Sequence, residues 1–174
     1  YLFNEPSRYP GSNLSEFPFP NSVKIYGVKG IKGGARRTSG FITNKTVTAG
    51  RENIEKYKLF FTTSFSTNAV IPPEPILGLP GEVCTETFLQ IGPFNTEAEM
   101  LSCKSFTETN VFRFLLYFGK GTMQVNQSVF DYIPLVPFDR KWTDDLLVSR
   151  FGFSTEDLRF IESTIGDTVE VSNA

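Results

Sequence analysis

The spacing of apolar residues changes near residue 95, and this change constrains the fold more than any other feature. Up to that point, aromatic and β-branched residues form short runs between Gly, Pro, Asn and Ser, as is typical of β-strands. Further along, apolar residues recur at helical spacing. We predict strands or short extended pieces at Ser22–Val28, Ser39–Asn44, Tyr57–Ser64, Cys84–Ile91, Met123–Val125 and Tyr132–Val136. The chain is therefore predicted to be a mixed α/β protein.

Three helices are predicted between residues 51 and 118. A short one is expected at Arg51–Tyr57, and Asn95 or Thr96 can cap a second that ends near Glu108. The third, Asn110–Phe118, contains a single charged residue. Because a helix that is apolar on all sides must be covered, we expect protein to surround it almost completely.

The C-terminal part predicts a helical hairpin. Its first helix starts at a Thr cap within Trp142-Thr143-Asp144-Asp145 and stops at Gly152. The second starts within Ser154-Thr155-Glu156-Asp157, where the helix dipole favours the acidic residues. Its apolar residues form one packing stripe, consisting of Leu158, Ile161 and Ile165. We interpret this hairpin as structural.

Composition shifts divide the chain into three predicted segments. Residues 1–21 contain four prolines and are expected to form an extended arm or linker. Residues 22–138 are expected to form a twisted sheet with the long apolar helix, and 139–174 a helical appendage. Since the sequence does not begin with Met, we expect it to be a segment of a longer protein.

The chain lacks most of the residues that carry metal and acid–base chemistry. It contains no His, and its two cysteines, Cys84 and Cys103, stand nineteen positions apart without a CxxC partner. We interpret both as small core residues of a protein in a reducing compartment, with a single disulfide as the alternative. No apolar run reaches the roughly 18 residues of a membrane span. No metal site is predicted.

Nucleotide-binding and catalytic motifs are also absent from the sequence. No GxxxxGK[ST] or GxGxxG pattern occurs. An amino-methyltransferase would need an Asn/Asp-Pro-Pro-aromatic loop, and Ile71-Pro72-Pro73-Glu74 keeps only the two prolines. The paired carboxylates Glu97/Glu99 and Asp144/Asp145 lie at predicted helix starts, which accounts for them without catalysis. No catalytic or cofactor-binding residue is therefore predicted.

Charge is distributed unevenly along the chain. The whole sequence carries −2, but Lys24–Lys58 contains nine cations against two anions. Residues from Asp139 to the end contain four cations against eight anions. A basic face is what a polyanion requires, although a solvated lysine-rich surface would show the same pattern.

An ordered series of segments resembles the target-recognition domain of restriction-modification DNA adenine methyltransferases. This family is related to the Taq methylase C-terminal domain and to the type I specificity subunits. The resemblance covers roughly residues 22–165 and depends on the order of Lys24-Ile25-Tyr26-Gly27, Ser39-Gly40-Phe41-Ile42, Tyr57-Lys58-Leu59-Phe60-Phe61-Thr62, Gly81–Phe88, Phe112-Arg113-Phe114-Leu115-Leu116, Gly119-Lys120-Gly121, Phe130-Asp131-Tyr132-Ile133-Pro134-Leu135, Lys141–Leu146 and Phe153–Leu158.

The resemblance implies a non-catalytic, sequence-specific DNA-binding domain. Double-stranded DNA is the expected partner, in the cytoplasm of a bacterium. S-adenosylmethionine and the catalytic motifs would belong to a separate N-terminal methyltransferase domain, and the parent protein could also carry an endonuclease.

Three polar surfaces are the candidate DNA-binding sites. Gly27–Phe41, with five glycines and four cations, is expected to be a basic loop that can enter a groove, or alternatively a solvated hairpin. Thr62–Asn68 is rich in hydroxyl and amide groups, and a polar run follows the apolar helix. The residues selected are Lys29, Lys32, Arg36, Arg37, Lys45, Ser64, Ser66, Asn68, Lys120, Gln124 and Asn126.

Two functions of other classes stay open on the sequence alone. Scattered Glu and Lys residues could converge on a metal or substrate in a nuclease or other enzyme fragment. Exposed aromatic residues could instead contact partner subunits in a protein-interaction module.

Overall fold

The structure, a computed structural model, describes residues 3–4, 14–31, 34–64, 71–120 and 125–171. Helices and strands are both present, which confirms the predicted mixed α/β class. The chain divides into two compact units. The first unit comprises Tyr1–Phe61 and Pro75–Thr96, and the second comprises Thr62–Glu74 and Glu97–Ala174.

The described residues contain seven strands in two sheets. They are β1 (Phe3–Asn4), β2 (Ser22–Ile31), β3 (Gly34–Thr43), β4 (Tyr57–Thr62), β5 (Ile76–Gly78), β6 (Glu82–Cys84) and β7 (Phe88–Phe94). One sheet has the order β1-β7-β4-β5 and the other the order β3-β2-β6. Two residues of the predicted N-terminal arm thus form an edge strand, since β1 pairs antiparallel with β7.

The predicted basic loop is for the most part a β-hairpin. β2 and β3 pair antiparallel over ten residue pairs, from Ser22↔Thr43 to Ile31↔Gly34. The strands predicted at Ser22–Val28 and Ser39–Asn44 are thus confirmed, and the loop expected between them is wrong at residues 29–31 and 34–38, which continue the two strands of a hairpin. Residues 32–33 lie outside the described part. Glycine weakens a strand, but a continuous ladder of cross-strand hydrogen bonds offsets that weakness here.

Strand β2 contributes to two clusters of buried side chains because successive residues of a strand face opposite sides. Val23 and Ile25 pack with Ile42 in a cluster completed by Val47, Ile54 and Val83. Tyr26 and Val28 point the other way, onto Phe60, Cys84 and Phe88. Both faces of the hairpin are thus covered at its base.

Two further strand and helix predictions are wrong. The helix predicted at Arg51–Tyr57 is only a 3-10 turn at Arg51–Asn53, and β4 already begins at Tyr57. The single strand predicted at Cys84–Ile91 is interrupted by a turn in which the Thr85 carbonyl accepts a hydrogen bond from the Phe88 amide. Consequently β6 and β7 belong to different sheets.

Both cysteines are buried and neither forms a disulfide, as predicted for small core residues. Burial raises the pKa of each thiol, so neither is a reactive thiolate at neutral pH.

The second unit contains four helices among its described residues. They are α1 (Glu97–Thr107), α2 (Asn110–Gly119), α3 (Asp144–Phe151) and α4 (Thr155–Val171). The Thr109 hydroxyl accepts a hydrogen bond from the Phe112 amide, and Thr143 caps α3 in the same way. Gly152 ends α3 with φ 70°. These starts and stops confirm the predicted helices.

Two expectations for this unit are corrected. A 3-10 turn at Gln127–Tyr132 replaces the start of the extended piece predicted at Tyr132–Val136, while most of Met123–Val125 lies outside the described residues. Helix α2 is less covered than expected, because Phe118 is 61% exposed.

Helices α3 and α4 are built into the same compact unit as α1 and α2. The Asp144 carboxylate accepts hydrogen bonds from the backbone amides of Asn110 (3.1 Å) and Val111 (2.9 Å), at the start of α2. The Trp142 amide donates to the Ser105 hydroxyl of α1 at 2.8 Å. The predicted boundary between 138 and 139 therefore does not coincide with the edge of this unit.

Replacing Asp144 by Ala tests this connection. We expect D144A to lower the free energy of unfolding by about 1–2 kcal/mol, since two helix-terminal amides lose their acceptor. The control is Asp145→Ala, an exposed neighbour in the same helical turn, which should cost about 0.5 kcal/mol or less. Urea unfolding of both variants measures the difference, and equal losses would contradict the capping role.

Lys58 is a buried cation of β4. Its side chain is among the most buried in the protein, and the residue is only 1% exposed. The ammonium donates hydrogen bonds to the carbonyls of Asn53 (2.6 Å) and Ile54 (2.8 Å). Burial lowers the pKa of Lys58 to about 8. This lysine therefore ties the 3-10 turn to β4 and cannot serve as a surface charge.

The depressed pKa of Lys58 predicts how stability changes with pH. The folded-state pKa lies below the ordinary value of 10.5, so the unfolded chain binds more protons between pH 8 and pH 10. Stability attributable to this group therefore rises with pH in that window, by about 2 kcal/mol. The raised pKa values of the two buried thiols act in the opposite direction in every variant, so the quantity compared is the change in the free energy of unfolding between pH 8 and pH 10. Urea unfolding should give a change about 2 kcal/mol more positive in the native protein and in the control Lys45→Met than in Lys58→Met. The same change in all three proteins would show that Lys58 does not contribute.

Candidate nucleic-acid interface

The outer half of the β2–β3 hairpin extends beyond the sheet that anchors it. Strand β6 pairs with β2 only at residues 24–26. Among the described residues, 27–31 of β2 and 34–38 of β3 therefore pair in register only with each other. We call these two segments the ribbon. A two-stranded ribbon is one of the two protein shapes that the major groove of DNA admits.

Arg36 and Arg37 place two exposed cations on the ribbon. Arg36 lies opposite Lys29 and Arg37 opposite Val28, so the two arginines occupy opposite faces. Neither forms an ion pair with any described residue. Both guanidinium groups are thus available to an anionic partner, one on each face.

Hydroxyl side chains that were not among the predicted site residues accompany these arginines. Alternation along β3 places Thr38 on the face of Arg36, and exposed Ser39 on the face of Arg37. Each face therefore combines a guanidinium with a hydroxyl group. In a strand, residues two positions apart share a face, so the order Arg36-Arg37-Thr38-Ser39 could have predicted a guanidinium and a hydroxyl group on each face.

A polar cluster anchors the base of the ribbon. The Lys24 ammonium donates to the Tyr26 hydroxyl at 2.6 Å and to a Glu82 carboxylate oxygen at 3.1 Å. The other Glu82 oxygen accepts a hydrogen bond from the Leu79 backbone amide at 2.9 Å. The hydrogen bond to Tyr26 raises the pKa of Lys24, and burial raises the pKa of Tyr26. Lys24 thus remains charged and holds β2 against β6.

Several other cations of the basic segment are also engaged within the fold. Lys58 is buried, and Lys56 donates to the Asn95 side chain at 2.8 Å. Arg51 donates to the carbonyls of Asn44 and Val47, at 3.1 and 2.8 Å. The exposed basic surface is therefore smaller than the charge count of the sequence implies.

Lys45 lies at the opposite end of the hairpin from the ribbon. It is exposed on the 3-10 turn Asn44–Thr46, which Arg51 holds in place. Six residues of strand separate Arg37 from Thr43, or roughly 20 Å at the usual rise of a strand. Lys45 and the ribbon arginines therefore cannot contact the same base pair. The side chain of Lys29 and all of Lys32 lie outside the described residues.

The described parts of the two other predicted surfaces adjoin in the second unit. The Val125 amide donates to the Thr63 carbonyl at 2.7 Å, which places exposed Ser64 and exposed Asn126 on adjoining segments. Asn126 also accepts a hydrogen bond from the Ser128 hydroxyl at 2.6 Å. Ser66, Asn68 and Gln124 lie outside the described residues.

Lys120 is poorly placed to meet a phosphate. It follows α2, is only 9% exposed, and burial lowers its pKa. A lysine that contacts DNA needs an exposed ammonium. Of the predicted residues, the structure thus describes exposed side chains for Arg36, Arg37, Lys45, Ser64 and Asn126.

Carboxylates of the second unit do not converge in the described residues. No group of three or more Cys, Asp or Glu side chains there could hold a metal ion. A cavity of about 480 Å³ lies between α1 and residues 138–141. Its Lys104 forms ion pairs with Glu74 and Glu108, and its Arg140 with Asp139. These charges are therefore already paired within the cavity wall.

Within the described segments, no helix is both long enough and apolar enough to cross a bilayer.

Comparisons with known proteins leave the family open. The chain matches no protein-family model, no curated protein and no solved structure. The resemblance to target-recognition domains rests on the order of its own sequence segments.

Proposed function

We propose that the first unit binds duplex DNA through the ribbon. The observation that carries this proposal is a two-stranded ribbon, anchored at its base, with exposed Arg36 and Arg37 that pair with no described acid. Arginine neutralises phosphates and also forms two hydrogen bonds to guanine in the major groove. The ribbon supplies both the shape and the chemistry for such contacts.

The division of charge between the units supports the same proposal. By sequence, the first unit carries ten Lys and Arg residues against six Asp and Glu residues, a net charge of +4. The second unit carries seven against thirteen, a net charge of −6. DNA is a dense polyanion, so its electrostatic attraction favours the first unit.

The opposed arginines would have different roles on DNA. When one face of a ribbon lies on the base edges, the arginine on that face can grip a guanine. The other arginine is turned away from the bases and can reach a phosphate. Phosphate contacts set affinity for every sequence, whereas base contacts set preference.

In this proposal the chain is the target-recognition part of a restriction-modification DNA adenine methyltransferase. It selects the site, while the methyltransferase domain of the parent protein binds S-adenosylmethionine and transfers the methyl group. This activity belongs to the bacterial cytoplasm, where the chromosomal target lies. In this proposal the parent protein could also carry a fused endonuclease domain.

Alanine variants test the roles of the two arginines. We expect one of Arg36→Ala and Arg37→Ala to reduce discrimination between sequences by about 1–3 kcal/mol. The other, and Lys29→Ala or Lys32→Ala, should weaken binding to all duplexes and reduce the salt slope by about one unit. The measurement is competition binding across a randomised duplex library at two salt concentrations.

The matched control for this series is Arg159→Ala, an exposed arginine on α4 of the acidic unit. It should leave affinity, salt slope and preference unchanged. If the ribbon variants behave like this control, the proposal is wrong and the DNA-binding surface lies elsewhere.

The proposal that a separate domain carries out catalysis also predicts whether this chain binds S-adenosylmethionine. The chain should neither bind S-adenosylmethionine nor transfer methyl groups, because it has no glycine-rich cofactor motif and no catalytic Pro-Pro-aromatic loop. Titration calorimetry and a radiolabelled methyl-transfer assay on duplex DNA measure both properties. Micromolar binding of the cofactor by this chain would overturn the assignment.

A further inference from the structure

Helices α2 and α4 and the 3-10 turn Gln127–Tyr132 carry a group of aromatic side chains, of which Phe118, Tyr132 and Phe160 are exposed. The Phe114 and Phe118 rings lie 4.7 Å apart, and the Phe114 and Phe160 rings 5.7 Å apart. The Tyr132 ring packs beside Gly119, 3.4 Å from the position that a Cβ would occupy there. We call Phe114, Phe118, Tyr132 and Phe160 the aromatic strip.

The strip is too exposed to be explained as core. Phe118 is 61% exposed, Tyr132 70% and Phe160 58%. Adjacent exposed aromatic rings are uncommon on a surface that contacts only water, and they are enriched where proteins bind each other.

A small apolar cavity adjoins the strip between α2 and α4. Its volume is about 160 Å³, and its lining includes Phe114, Phe153 and Phe160 with Asp157. An apolar cavity of about 150 Å³ can hold one benzene-sized group. One leucine or phenylalanine side chain of a partner could therefore enter it.

Acidic side chains beside the strip outnumber its exposed cation, Arg159, which precedes Phe160. Asp131 precedes Tyr132, and exposed Glu156 and Asp157 lie one helical turn before Phe160 on α4. The whole second unit carries a net charge of −6. Such a surface repels nucleic acid and attracts a cationic partner.

We propose that the aromatic strip is a docking site for a basic amphipathic helix of a protein partner. Its apolar residues would lie along the strip, with one anchor in the cavity, and its Lys or Arg side chains would face Asp131, Glu156 and Asp157. This is the helix-in-groove mode of recognition. A second copy of this chain fits less well, because it would set acidic residues against acidic residues.

This proposal goes beyond DNA binding and does not rest on it. The strip belongs to the second unit and the ribbon to the first. Loss of either activity would leave the other intact, so the two can be tested separately.

A synthetic peptide serves as the probe. It has about 18 residues, a length at which isolated helices become stable, with Leu at i, i+3, i+4 and i+7 and Lys elsewhere. Fluorescence anisotropy should detect its binding to the chain. Phe118→Ser and Phe160→Ser should each weaken binding about tenfold. The control Phe17→Ser removes an exposed aromatic residue of the first unit and should change nothing.

Two further experiments test whether charge contributes to binding of the peptide. Glu156→Lys leaves the aromatic rings in place and should also weaken binding of the Lys peptide, so the test does not depend on the folding of the Phe variants. The same peptide with Glu in place of Lys should bind at least about tenfold more weakly.

Four results would overturn the proposal. The first two are equal binding of the Lys and Glu peptides, and unchanged binding by both Phe variants. The third is a native dimer in sedimentation that Phe160→Ser dissociates, which would identify a second copy as the occupant. The fourth is loss of duplex DNA binding in Phe118→Ser, which would assign the strip to nucleic acid.

Discussion

The register between β2 and β3 is the constraint on which the candidate interface depends. Side chains of a strand alternate between faces, so a slip of one residue would exchange the faces of Arg36 and Arg37. The same slip of β3 would turn Ile42 out of the core, at the cost of its buried apolar area. Burial of residues at the base of the hairpin thus fixes the register, and the register determines the faces on which the exposed arginines lie. Strand β6 stops pairing after Tyr26, and this frees the outer half as a ribbon.

Charged residues serve two purposes in this chain. The Lys58 ammonium donates hydrogen bonds to carbonyl groups inside the first unit, and the Lys24 ammonium donates to the Glu82 carboxylate at the base of the ribbon. Asp144 plays the corresponding role in the second unit, where it caps α2. The net charge differs in sign between the units, at +4 in the first and −6 in the second by sequence. In the two proposals, the basic ribbon would contact a polyanion and the aromatic strip a cationic helix.

Local signals were predictable from the sequence, and long-range ones were not. The predicted cap Thr143 accepts a hydrogen bond from the amide of Leu146, three residues away, so a short window of sequence contains the whole interaction. The first half of the strand Gly34–Thr43 depends on hydrogen bonds to a second segment, and its glycine and cations alone favour a loop, whereas the second half was predicted as a strand. Burial of Lys58 and Lys120 depends on elements brought together by folding, so the sequence assigned their charge to the surface. The mixed α/β class was predictable because it follows from periodicity alone.

Amide chemical shifts during titration with duplex DNA test the central claim most directly. An assigned ¹H–¹⁵N spectrum reports every non-proline backbone position at once, including residues 32–33. If the ribbon is the DNA-binding element, the largest shifts will fall within residues 27–38 and will shrink as salt concentration rises. Shifts confined to the helices of the second unit, or no shifts at low salt, would contradict the account.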